Sequence, residues 1–163
     1  MGCRALGNHN RNLLVLGIGN FMCGDDGIGS IIANDLITEL SCPNVDVIDG
    51  GTIGLGLLYL MAEYSDIIII DSVDCGVEPG KIMKFRIEDL DSLSPGAKIS
   101  FHQSGVFDLL HNSSLIGSLP DRVAVMGIQI KATAFSAGLS PELKDRFPEL
   151  KKQIIEEISN YFN

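Results

Sequence analysis

Residues 12–29 read NLLVLGIGNFMCGDDGIG, and this stretch decides the fold class. Leu13 to Ile18 is a short apolar run closed by glycines. Ile28, Ile31, Ile32, Leu36 and Leu40 then recur at helical spacing, which predicts strand, loop and helix in succession. Such a loop usually cradles a phosphate, but its residues argue against that here. Gly17 and Gly19 begin a GxGxxG pattern, and Met22 stands where the third glycine belongs. Gly19 and Gly24 have P-loop spacing, yet Asp25 and Asp26 occupy the places of Lys and Ser/Thr. Two carboxylates repel a pyrophosphate and attract a metal ion, a cationic group or a proton.

Outward from this stretch, Val45 to Ile48 reads as a second strand ending at Asp49-Gly50-Gly51, and Gly54 to Tyr64 as a helix buried on the sheet. Ile67 to Ile70 is a β-branched run suited to a central strand, ending at Asp71. Lys81 to Arg86, after Pro79-Gly80, reads as an antiparallel fourth strand. Residues 87–100 read as irregular, with a helix from about His102 to Leu110 and a fifth strand over 122–130. Ser140 as N-cap and Pro141 at the first position open a last helix, which Pro148 should interrupt. The order predicts a three-layer α/β/α sandwich around a five-stranded, mostly parallel sheet with one antiparallel strand. One such domain covers residues 13–163, preceded by a flexible arm over residues 1–12.

Composition bounds the function. The chain has 163 residues, 45% hydrophobic and 20% charged, with a formal net charge of −9, which disfavours nucleic acid or an anionic membrane as partner. Its apolar runs are too short to cross a bilayer, and the N-terminus lacks a signal-peptide core, so a cytoplasmic protein is expected. Cys3, Cys23, Cys42 and Cys75 form no CxxC pair and read as reduced thiols, with Cys23 and Cys75 near enough to acids for a soft-metal role to be considered.

Ligands of open parallel sheets bind beyond the carboxyl ends of the strands. Asp26, Asp49 and Asp71 follow the first three strands and point to that edge. Of the histidines, His9 lies in the arm and His111 late in a helix, whereas His102 opens a segment returning to the sheet edge. Each residue also has a plain structural role open to it. Asp25 or Asp26 can cap the first helix, Asp49 can hold the Gly-Gly-Thr turn, Asp71 can cap the following turn, and His102 can bond backbone. Their coincidence on one edge points to a metal or acid/base site. Two carboxylates and one imidazole suit a divalent first-row metal such as nickel, zinc or manganese. No HExxH helix or GxSxG elbow is present.

Five segments taken in order, GIGNFMCGDDGIG, DGGTIGLGLL, IIIIDSVDCGVEPG, ISFHQSG and VAVMGIQ, resemble the hydrogenase maturation proteases, from about Leu13 to the final helix. The resemblance implies an endopeptidase that removes a C-terminal extension from a [NiFe] hydrogenase large-subunit precursor after nickel insertion. It implies that Asp26, Asp71 and His102 are the metal-binding triad and carry catalysis, and that nickel arrives on the precursor as the recognition signal. Asp26 stands where some members have Glu, which changes reach and not charge. Asp49, Gly50 and Gly51 are second candidates that shape the cleft. The competing readings are a non-enzymatic nickel-binding or chaperone module for the precursor, and a nucleotide-binding α/β domain.

Overall fold

A computed structural model of the chain describes residues 13–86, 100–101, 106–117, 119–133 and 136–162. The predicted arm, residues 1–12, lies outside them. The strands are β1 (Leu13–Ile18), β2 (Val45–Gly51), β3 (Asp66–Asp74), β4 (Ile82–Arg86), β5 (Ser100–Phe101) and β6 (Arg122–Gln129). The helices are α1 (Ile28–Glu39), α2 (Leu57–Met61), α3 (Val106–Leu115) and α4 (Pro141–Asn160). Strand order is β2-β1-β3-β6-β4, with β5 pairing β3. β1, β2, β3 and β6 run parallel, and β4 is antiparallel to β6. The expected five-stranded mixed sheet is therefore present, with the two-residue β5 added to it.

Apolar residues cover both faces. Leu14, Leu16, Ile67, Ile69 and Val125 pack with Leu57 and Met61 of α2 and with Val106 and Leu109 of α3. Leu13, Val15, Ile68, Ile70, Met126 and Ile128 pack with Ile28, Ile32 and Leu36 of α1 and with Leu143, Leu150, Ile154 and Ile158 of α4. Alternation along each strand sends neighbours to opposite layers, and a sheet covered on both sides needs near-continuous apolar strands.

Glycine explains how closely α1 approaches. A Cβ at Gly29 would lie closer than 3.0 Å to the carbonyl oxygens of Ile18 and Ile70, and one at Gly17 would collide with Gly29 and Ala33. The glycines of the opening loop thus serve helix-on-sheet contact. That contact seats the turn before α1, Gly24–Gly27, against the strand ends.

Four expectations need correction. β3 does not stop at Asp71 but continues to Asp74, because β6 pairs with it through Val73 and Gln129. The helix expected over residues 54–64 shortens to α2, with Leu55 and Tyr59 exposed; Leu57 and Met61 are buried, and Leu58, Leu60 and Tyr64 pack against the core only in part. Ser100, expected in irregular structure, is strand together with Phe101, because the end of β3 pairs with them; the helix expected from about His102 is described from Val106, and residues 102–105 lie outside the described residues. Pro148 lies inside a continuous α4. An interior proline costs a helix about 3 kcal/mol, and burial of Leu143, Leu150, Ile154 and Ile158 on the sheet outweighs it.

Candidate functional site

The site follows from a mismatch in strand length. β1 pairs β3 only as far as Gly17 opposite Ile70, while β3 runs on beside β6, with Asp71 opposite Gly127 and Ser72 opposite Ile128. The flank of β3 that β1 vacates receives the Gly24–Gly27 turn, which brings Asp26 to Ser72. Farther on, β5 takes the same flank, with Phe101 opposite Val73 and Ser100 opposite Asp74. Asp71 thus sits where β1, β5 and the first loop converge.

Asp26 is buried and held through both oxygens. The Asn20 amide donates to Oδ2 at 3.1 Å, and the Ser72 hydroxyl donates to Oδ1 at 2.9 Å. Asp71 is 1% exposed. Its Oδ1 accepts from the Ser72 amide at 2.7 Å, while its buried Oδ2 has no hydrogen-bond partner among the described residues. Burial is the main cause that pushes the Asp71 carboxyl up to about 8, the Ser72 amide works against it, and the Asp26 charge adds to the rise. A buried, unpaired oxygen beside a second carboxylate is a costly arrangement that a cation relieves. The donor set fits a hard or borderline divalent ion. His102 lies outside the described residues, but it directly follows Phe101, which is paired two residues beyond Asp71. Among the described residues no three of His, Cys, Asp and Glu assemble as a metal set.

The other acids are occupied structurally. Asp25 caps no helix; its Oδ2 accepts from the amides of Lys131 and Ala132 at 3.0 and 3.1 Å, and its Oδ1 from that of Ser140 at 2.6 Å. It ties the first loop to the start of α4. Asp49 accepts from the Ser30 hydroxyl, the Asn34 amide group and the Gly51 amide, at 2.5, 2.5 and 2.9 Å. It fastens the end of β2 to α1 and holds the glycine turn. His111 is exposed on α3. At Cys75, burial and then the Asp74 charge raise the thiol pKa, which disfavours the thiolate a soft metal needs.

Two residues of the edge are not singled out by the sequence reading. Gln129 accepts from the Cys75 amide at 2.8 Å and donates to Asp74 at 3.1 Å, ordering the acidic turn after β3. Ser72 touches both acids. The signal for Ser72 is faint but present, since a serine directly after Ile67-Ile68-Ile69-Ile70-Asp71 is a hydroxyl at a position that alternation assigns to the core.

Comparison with known proteins agrees with this fold. The family model described as "Hydrogenase maturation protease" matches residues 32–157. The hydrogenase 2 maturation protease of Escherichia coli K12 is 32% identical over 145 residues, which are 88% of either chain. The hydrogenase expression/formation protein HupD of Bradyrhizobium diazoefficiens is 30% identical, over 85% of this chain and 73% of its own. Against HupD of Rhodobacter capsulatus, at 34% identity, the match spans only 62% of the relative. Among solved structures, the hydrogenase maturating endopeptidase HybD from E. coli superposes with a TM-score of 0.78 at 29% identity, covering 92% of this chain and 93% of that one. Fold and sequence similarity agree, and the chain belongs to the hydrogenase maturation protease family, a family of peptidases.

Proposed function

We propose that the chain is the endopeptidase that removes the C-terminal extension from a [NiFe] hydrogenase large-subunit precursor after nickel insertion, and that Asp26, Asp71 and His102 engage the nickel carried by that precursor. The observation that carries this reading is the buried, unpaired Oδ2 of Asp71 beside Asp26. Burial, with the Asp26 charge beside it, disfavours the ionised form of Asp71, and a cation arriving with the substrate turns that cost into affinity. The nickel then acts as a handle. Its capture orients the adjoining peptide segment at the strand ends and polarises the scissile carbonyl or an attacking water. A precursor without nickel lacks the handle and is spared, so cleavage is coupled to cofactor insertion. The reaction is proposed to take place in the cytoplasm, and Cys23, Cys42 and Cys75 are not joined by a disulfide. No helix among the described residues is long and apolar enough to cross a membrane.

The test is the intact mass of a large-subunit precursor after incubation with the protein. Loss of a C-terminal peptide is expected only from nickel-loaded precursor, and only with Asp26, Asp71 and His102 all present. Undiminished cleavage by Asp26→Ala or Asp71→Ala, or of nickel-free precursor, overturns the assignment. Binding of the precursor with no change in mass favours the non-enzymatic module.

A further inference from the structure

We propose that Ser72 is a positioning residue that locks the two acids into one receptor for the incoming cation, an inference that rests on the function proposed above. The two carboxylates are held by three hydrogen bonds among the described residues, and Ser72 supplies two of them. Its backbone amide fixes Asp71 Oδ1, and its hydroxyl, 46 residues distant in sequence from its acceptor, fixes Asp26 Oδ1.

The need for this device comes from the strand itself. Ile68 and Ile70 face the layer of α1 and α4, while Ile67, Ile69 and Val73 face that of α2 and α3. Alternation therefore assigns Asp71 to the second layer and Ser72 to the first, the layer from which Asp26 arrives. The two acids approach the strand end from different sides of the sheet, and only a residue adjacent to one and facing the other joins them. Ser72 is that residue, and it is fully buried. Its hydroxyl fixes the plane of the Asp26 carboxylate without using all of its lone pairs, while Asp71 Oδ2 stays open. A carboxylate free to rotate would have to be ordered when the cation arrives, with loss of affinity and rate.

The experiment compares Ser72→Ala, Ser72→Cys and Ser72→Thr with the unaltered chain. It measures thermal stability, kcat/KM on nickel-loaded precursor, and the affinity for nickel-loaded and nickel-free precursor. Ala and Cys remove the strong donor, Cys with nearly the same volume, and Thr keeps the hydroxyl. Expected is a fall of about tenfold in kcat/KM for Ala and Cys, the size of one net hydrogen bond. Affinity for nickel-loaded precursor should fall with it, while that for nickel-free precursor is unchanged and Thr restores most of the loss. The inference is overturned if Ser72→Ala keeps the full difference in affinity between loaded and unloaded precursor. It is also overturned if affinity for both forms falls together with the melting temperature, which is the mark of a merely structural serine. Asp26→Asn in the same assay separates the two claims. If Asp26→Asn retains the nickel-dependent difference, the site assignment itself fails; if Asp26→Asn loses it while Ser72→Ala does not, only the role of Ser72 fails.

Discussion

A carboxyl group whose pKa is raised by folding costs stability whenever it ionises, and Asp71 is such a group. Its ordinary value is 3.8 and its value in the fold about 8. Between those values the folded chain binds more protons than the unfolded one, so stability falls as pH rises through that window. The slope is at most about 1.4 kcal/mol per pH unit. Asn at this position keeps the shape and has no proton to lose. In chelator-treated protein, Asp71→Asn should therefore match the unaltered chain at or below about pH 4. By pH 7.5 it should be more stable by about 4–5 kcal/mol, read from denaturant midpoints, while losing cleavage altogether. A stability difference that does not change with pH would remove the case for a buried, frustrated acid. Asp26 and Asp71 are legible in the sequence because each follows an apolar strand of a parallel sheet. Asp25 and Asp49 share that signature, yet bond backbone amides or neighbouring polar side chains. Which acids are left for chemistry depends on loops that meet only in the fold, and no local pattern distinguishes them.

Among the elements, the glycine loop followed by α1 is the part that aims the site. The helix starts two residues after Asp26, so any shift of α1 moves that carboxylate relative to Ser72 and Asp71. Gly29 sets the approach, because the atoms a Cβ would meet are main-chain carbonyls of β1 and β3 that cannot rotate away. Gly29→Ala should cost about 3 kcal/mol, the upper end for overpacking, and lower the melting temperature by several degrees. It should also depress cleavage at temperatures where the variant is fully folded. A variant with unaltered melting temperature and activity would show that α1 has slack. Strand and helix identities are readable from hydrophobic period and caps, as with Ser140 and Pro141 at the start of α4. Element lengths are not. β3 outlasts its apolar run because a neighbour pairs with it, and α4 continues through Pro148 because the sheet beneath it buries its stripe. Both outcomes are decided by tertiary contacts, which local propensity does not contain.

For the whole molecule, the sheet divides labour between its two edges. The carboxyl edge holds Asp71, a buried acid that weakens the fold when it ionises, and the amino edge carries a stabilising clamp. Asp66, at the start of β3, is buried and accepts from Arg122 Nε of β6 at 2.5 Å and from the Ser65 hydroxyl at 2.6 Å. The Arg122 guanidinium also lies 4.4 Å from the ring centre of Tyr161, just beyond α4, so one side chain joins two strands and the last helix. Arg122 is half exposed, which limits the contribution of the pair. Its loss nonetheless leaves the buried Asp66 without its cation, at a cost of about 1–2 kcal/mol. β3 spans the sheet from this clamp to Asp71, so among the described residues the two edges are joined through a shared strand. Arg122→Ala should lower the melting temperature by roughly 2–8 °C and leave kcat/KM on nickel-loaded precursor within twofold at temperatures where the chain is folded. Asp71→Asn should do the reverse, raising stability at neutral pH and abolishing cleavage. A large loss of cleavage in folded Arg122→Ala would mean that strain at the amino edge is transmitted along β3, and that the separation of stability from chemistry in this fold is not real.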